Sequence, residues 1–277
     1  MTYEEFWRPL TQIYEHSEAK AVAQLVYEQR FHLSLADVLC GRTGDEAELH
    51  QIQQRLLQGE PVQYVLGLAE FGPHIFHVEP GVLIPRPETY ELCQWINEGA
   101  RGKEQGAREY SSLDIGTGSG CIACTLAAAL PEAEVTAWDI SEEAVNIAKE
   151  NAKRTNVHVS FAQADVLNLQ DMNRERWNLI VSNPPYICQK ERTTMEQNVL
   201  DHEPDIALFV PDDDPLLFYR TIAEYGRQSL KTEGWLYFEI NPLYADDMRN
   251  MLSNMSYHNI ETKEDEYGKQ RMIRAQR

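Results

Sequence analysis

The segment SSLDIGTGSGCIA, residues 111–123, reads as a short strand ending in Leu113, Asp114 and Ile115, followed by three glycines and an apolar, alanine-rich helical run. Gly116, Gly118 and Gly120 let the backbone turn sharply and approach a ligand that a Cβ would push away. Taken alone the turn is weak evidence, since any tight strand-to-helix connection can use glycine. Its spacing narrows the ligand class. G-x-G-x-G lacks the third glycine offset of the dinucleotide fingerprint, and no Gly-Lys-Ser/Thr follows to hold a triphosphate. A cofactor without a pyrophosphate fits better.

On either side of this segment helices and strands alternate. Upstream, a helix at about 88–99 leads through the polar loop GARGKEQGAREY, residues 99–110. Downstream come strand EVTAWDI, helix SEEAVNIAKENAKR and strands VHVSFAQAD and RWNLIVSN. A long polar insertion precedes a helix near 215–230, strand GWLYFEI, a helix near 242–253 and strands at about 257–263 and 270–276. This order predicts an α/β fold, a parallel sheet with helices on both faces that binds ligands at the carboxyl ends of its strands.

Those strand ends carry the candidate chemistry. Asp139 ends the second strand, where a carboxylate can accept from both ribose hydroxyls of an adenosine or can receive the free N–H groups of the next helix; Ser141 is the better cap, which leaves Asp139 for the ribose. Asp165 ends the third strand and either accepts from an adenine amino group, with Val166 packed on the ring, or is a surface residue. The fourth strand ends in SNPPY. Pro184 and Pro185 cannot donate to a ladder and hold the chain extended, so Asn183 offers acceptors at a fixed position without a base or a nucleophile.

The amino-terminal part changes character. Residues 1–62 read as a helical domain: Phe6, Leu10, Ile13 and Tyr14 share one face, and Val22, Leu25, Val26, Leu33, Leu35, Val38 and Leu39 follow at helical spacing. Residues 63–87 form a linker in which aromatic and β-branched residues alternate between glycines and prolines, as in a β-hairpin, and residues 88–277 form the α/β domain. The 277 residues carry a net charge of -19, from 44 acidic and 25 basic side chains, which disfavours nucleic acid as a direct partner and suits a protein with a basic face. No segment approaches the roughly 18–20 apolar residues of a membrane span, and the acidic start predicts no leader, so a cytoplasmic protein is expected. Cys121 and Cys124 form a C-x-x-C pair inside an apolar helical run, without a second pair, and read as buried small side chains; no metal site is expected.

In these motifs the chain resembles the class I S-adenosylmethionine-dependent methyltransferases, and specifically the protein-glutamine methyltransferases that modify peptide chain release factors. Asp114 with GTGSG is similar to that family's cofactor loop, Asp139 to its ribose acid and NPPY to its substrate motif; GEPVQYVLGLAEF (59–71), GVLIPRPETYELCQWI (81–96), HEPDIAL (202–208) and YGKQRMIRA (267–275) match further blocks. The resemblance implies a Rossmann-like, seven-stranded, mostly parallel sheet and methyl transfer from S-adenosyl-L-methionine to the glutamine amide nitrogen in the Gly-Gly-Gln motif of release factors. Cofactor contacts are expected from Asp114, Gly116, Thr117, Gly118, Ser119, Gly120, Asp139, Ile140, Asp165, Val166 and Asn183, with Thr89 near the methionine end. Asn183, Pro184 and Tyr186 are the expected catalytic group, and Asn183, Pro184, Pro185, Tyr186 and Phe76 the substrate contacts. The protein is expected to be a monomer.

A ribosomal-protein glutamine or the N6 of adenine in DNA are the alternative acceptors. Arg86 either approaches the cofactor or pairs on the surface, and His202 and Glu203 either shape the substrate entrance or form a structural turn. Four departures from the family pattern stand out. Tyr90 occupies a usually acidic position, DDDPLL at 212–217 replaces a more glycine-rich turn, Val166 stands where relatives place an aromatic, and EINPLY at 239–244 lacks the usual glycine and glutamine.

Overall fold

The computed structural model of the protein describes residues 1–100, 110–169 and 176–277. Residues 101–109 of the expected polar loop lie outside it. Contacts divide the chain into a helical unit, Met1–Leu68 with Glu196–His202, and an α/β unit, Ala69–Met195 with Glu203–Arg277.

The helical unit contains α1 (Tyr3–Leu10), α2 (His16–Phe31), α3 (Leu35–Leu39), α4 (Glu46–Leu57) and α5 (Val62–Leu66). Thr2 and Ser34 start α1 and α3 with reciprocal capping boxes, and Asp45 caps α4, so one orphan N–H at each of these helix starts has the cap side chain as its acceptor. Phe6, Leu10, Val26, Leu49 and Leu56 meet in its core. Ile13 and Leu39, expected on the apolar faces, are instead 50% and 69% exposed. The reason is local: α1 stops at Leu10, just after Pro9 with its missing N–H, and His32 in the left-handed conformation (φ 54°) ends α2, so the helical period restarts.

The expected linker is also divided differently. Pro61 precedes a fifth helix, α5, which Gly67 ends at φ 70°, and the hairpin is confined to β1 (Leu68–Phe71) and β2 (His74–His77). A five-residue apolar run is too short for periodicity to separate helix from strand.

The α/β unit continues with α6 (Pro87–Ala100), β3 (Tyr110–Ile115), α7 (Cys121–Ala129), β4 (Ala133–Asp139), α8 (Glu142–Arg154), β5 (Ser160–Gln163) and β6 (Trp177–Ser182). Its insertion contains β7 (Ile187–Cys188), α9 (Gln197–His202, which belongs to the helical unit), α10 (Asp205–Leu208) and β8 (Phe209–Val210); α11 (Leu217–Ser229), β9 (Leu230–Glu239), α12 (Ala245–Asn254), β10 (His258–Glu264) and β11 (Gln270–Gln276) follow.

The described strands form a seven-stranded sheet in the order β10-β11-β9-β6-β3-β4-β5. β5, β4, β3, β6 and β9 run parallel, and β11 is antiparallel to both of its neighbours. Leu113, Ile180 and Leu236 align across β3, β6 and β9 and face the core under α11 and α12, while their neighbours Val181 and Tyr237 face α6 and α7. Both faces of the central strands are thus covered, which is why apolar side chains occupy successive positions in Leu179–Val181 and Leu236–Phe238. Strand order reverses between β5 and β6, so β3 and β6 flank the switch point, and a crevice opens beyond their carboxyl ends.

Candidate active site

Beyond those carboxyl ends lies a cavity of about 340 Å³. Gly116 and Gly118 face it with positive φ (74° and 53°), and a Cβ added at either would meet nothing within 4 Å, so the two glycines leave a cradle of open backbone. Gly120 has another job. Its absent Cβ would lie 2.9 Å from that of Ala148, so glycine here permits the close approach of α7 and α8.

Asp139 stands at the cavity wall and holds the turn. Its Oδ2 accepts the Gly118 N–H at 2.8 Å and its Oδ1 the Ser141 N–H at 2.9 Å, while Ser141 caps α8 through its own hydroxyl. Partial burial raises the carboxyl's proton affinity, and the backbone N–H groups oppose that shift. Each oxygen keeps lone-pair capacity for a further donor. Asp165 caps the 3₁₀ turn Val166–Asn168, accepting from Leu167 N–H and the Asn168 amide at 2.9 and 2.5 Å. Ile140, Val166 and Leu167 line the cavity beside it, an apolar sleeve suited to a flat ring.

At the end of β6, Ser182 donates to the Ile115 carbonyl at 2.6 Å, fastening β6 to β3. Asn183, Pro184 and Pro185 then line the cavity. Asn183 Nδ2 donates to Thr89 Oγ1 at 3.2 Å, Thr89 donates to Glu239 Oε2 at 2.5 Å, and the Tyr186 hydroxyl donates to Glu239 Oε1 at 3.0 Å. A glycine cradle, the Asp139 carboxyl group and a fixed carboxamide therefore share one cavity.

Known proteins similar to this chain match it over nearly their whole length. A release factor glutamine methyltransferase from Bacteroides thetaiotaomicron is 45% identical over 97% of this chain and 96% of its own length. That from Flavobacterium psychrophilum is 38% identical over 98% and 96%. The chain belongs to the release factor glutamine methyltransferase family. Residues 103–205 also match the methyltransferase small domain. A methyltransferase of known structure from Pyrococcus furiosus, 17% identical, superimposes with a TM-score of 0.50 over 82% of this chain and 98% of that one, a likeness of fold alone.

Within this glutamine methyltransferase fold the expected site residues separate into two layers. Gly116, Gly118, Asp139, Ile140, Asp165, Val166, Asn183, Pro184 and Pro185 line the cavity; Asp114, Thr117, Ser119, Gly120, Thr89, Tyr186 and Phe76 do not. Asp114 is fully buried beneath the turn and accepts from the Thr117 hydroxyl at 2.6 Å; burial pushes its carboxyl up to about 7. Thr89, expected near the cofactor's methionine end, is buried and bonded to Asn183 and Glu239. Phe76, expected as a pocket wall, is fully buried edge-to-face on Phe71, because β2 turns it into the core formed with α6. Tyr186 packs on the core, with its hydroxyl committed to Glu239.

Arg86 forms an ion pair with Glu203, and Glu203 also accepts the Ile84 N–H at 3.2 Å. Of the two roles expected of Arg86, pairing is the one observed, and the residue does not line the cavity. The contact is a structural tie between segment 84–86 and the start of α10, whose Ile206 and Ala207 line the cavity. Glu239, which reaches Asn183 through Thr89, is absent from the expected residues, although a signal existed. Leu113-Asp114-Ile115, Trp138-Asp139-Ile140 and Phe238-Glu239-Ile240 repeat an apolar–acid–Ile ending on three strands of one sheet. Cys121 and Cys124 are buried free thiols, each pushed up to about 12 by burial. Among the described residues no His, Cys, Asp and Glu group could hold a metal ion, and no helix is long and apolar enough to cross a membrane.

Proposed function

We propose that this chain transfers a methyl group from S-adenosyl-L-methionine to the side-chain amide nitrogen of the glutamine in the Gly-Gly-Gln motif of peptide chain release factors. The observation that carries the reading is Asn183: its Nδ2 is held by Thr89 at 3.2 Å, which leaves Oδ1 as the acceptor end of a residue that lines the same cavity as Gly116, Gly118 and Asp139. The residues present suit the cofactor. Gly116 and Gly118 offer close backbone approach, Asp139 can accept from ribose hydroxyls, and Ile140, Val166 and Leu167 can enclose the adenine, with Asp165 near its amino group. Bound there, S-adenosylmethionine supplies an electrophilic methyl group on a sulfonium.

The chain's own task is orientation. A carboxamide nitrogen is a poor nucleophile because its lone pair is delocalised into the carbonyl, so it has to be desolvated and aimed for in-line displacement. Asn183 Oδ1 and the Pro184 carbonyl accept its two hydrogens and direct the lone pair at the methyl group; Pro185 bounds the pocket, and Tyr186 fixes the turn that carries them. No base is needed, because the nitrogen becomes acidic once methylated and its proton leaves to water.

We assign recognition of the protein substrate to the helical unit, which contains none of this chemistry, and we read the enzyme as a cytoplasmic monomer without direct nucleic-acid contacts. The charge of -19 favours a basic protein face over a phosphate backbone. The deciding experiment measures the mass of a release factor co-expressed with and without this chain. A gain of one methyl on the peptide containing the Gly-Gly-Gln glutamine is expected; methylation of adenine in DNA, or of a ribosomal protein with the release factor untouched, overturns the reading.

A further inference from the structure

We propose that Glu239 and Thr89 are positioning residues that dictate which end of the Asn183 carboxamide faces the methyl-transfer cavity, an inference that rests on the glutamine-amide reading above. Glu239 ends β9 and is 2% exposed. Its two oxygens accept from the Thr89 hydroxyl at 2.5 Å and the Tyr186 hydroxyl at 3.0 Å, and Tyr219 donates to its backbone carbonyl at 3.1 Å. Burial raises the proton affinity of Glu239, while Thr89, Tyr186 and the Arg271 charge oppose that shift and Glu88 adds to it. Burial and the charge of Glu239 also hold the Tyr186 phenol far above its ordinary range, so Tyr186 keeps its proton and donates.

In its ionised form, which the Thr89 and Tyr186 hydroxyls and the Arg271 charge favour, Glu239 can only accept. The single hydroxyl proton of Thr89 is therefore committed to Glu239, and the lone pairs left on Thr89 Oγ1 can only receive. They receive from Asn183 Nδ2 at 3.2 Å. Bond direction is thus passed outward from the buried carboxylate, and Asn183 is left with Oδ1 as its free end. In the opposite flip Oδ1 would face a hydroxyl oxygen with no proton to give, and the NH₂ group would point toward the hydrogens of the substrate amide. The same bonds tie three elements together: Thr89 lies in the first turn of α6, Glu239 at the end of β9 and Tyr186 after β6, where Asn241 Nδ2 also holds the Tyr186 carbonyl at 3.2 Å.

The test compares wild type with Thr89→Val, which keeps the shape and removes the hydroxyl, and with Thr89→Ser, which restores the hydroxyl. The readouts are S-adenosylmethionine affinity by calorimetry, and kcat and KM with intact release factor. We expect Thr89→Val to lower kcat about 10-fold or more while KM and cofactor affinity move less than about 3-fold, and Thr89→Ser to recover most of the lost kcat. If Thr89→Val does not fold, Thr89→Ala is read against the same expectation. Wild-type kcat in the hydroxyl-free variant, or a Ser variant as slow as the Val variant, overturns the inference alone. A wild-type chain that moves no methyl to the glutamine overturns the functional reading and this inference with it.

Discussion

Asn183 is where the proposed chemistry is most exposed to test. Asn183→Ala leaves a substrate amide hydrogen without its acceptor, and turnover is expected to fall on the order of 10²-fold with cofactor affinity retained; methyl incorporation at saturating cofactor measures it, and undiminished turnover would remove Asn183 from the reaction. Asp139→Ala is expected to weaken S-adenosylmethionine binding by roughly 1–3 kcal/mol in calorimetry, since it loses a charged acceptor and also frees the Gly118 N–H that Asp139 holds. Asp114 carries a different signature. Its carboxyl is pushed up to about 7 in the fold, above its unfolded value, so the folded state prefers the proton. That contribution is fully present below the unfolded carboxyl range and is lost as pH rises through about 7. Asp114→Asn, which mimics the protonated form and can still accept from Thr117, should therefore gain on wild type as pH rises, by up to about 4 kcal/mol between about pH 4 and pH 8. Melting of the cofactor-free proteins checks this, and a difference that does not change with pH would show that the proton affinity of Asp114 is the same folded and unfolded.

Among elements, α8 links the hairpin to the glycine turn. The Asn151 side chain, fully buried, accepts from His77 N–H at 2.7 Å and donates to the His77 carbonyl at 2.8 Å and the Ser119 carbonyl at 2.9 Å. Asn151→Ala leaves those backbone groups without this partner, so we expect a loss of roughly 2–3 kcal/mol in stability and faster hydrogen exchange in residues 116–120. Unchanged exchange there would show that the turn is held from elsewhere. α8 itself was legible in the sequence, because Ser141, the acidic first turn and Lys153 and Arg154 in its last turn mark both ends. The two-residue strands β7 and β8 were not, since Ile187 and Cys188 acquire strand character only by pairing with Phe209 and Val210. Phe76 shows the same limit. Its aromatic ring was readable, but whether it faced the pocket or the core depended on how β2 lies against α6.

Across the whole molecule, the charge of -19 predicts how it meets its substrate. If recognition uses a basic face of the release factor, raising salt from about 50 to 300 mM should raise KM for intact release factor several-fold and leave KM for a short glutamine peptide nearly unchanged. Equal salt dependence for both substrates would place the electrostatics at the cavity instead. Alternation of helices and strands, the glycine spacing of residues 116–120, the strand-end acids and NPPY were all settled by local residue order, because each depends on neighbours in the chain. The Glu239–Thr89–Asn183 chain was not, although Glu239 was visible as the third acid in a repeated strand ending. Its members are separated by 150 and 94 residues, and only the pairing of β6 with β9 and the packing of α6 against β9 bring them within hydrogen-bond reach. Sequence pattern reports which residues can face a cleft, whereas the direction of a hydrogen bond is a property of both partners, and both partners meet only in the folded chain.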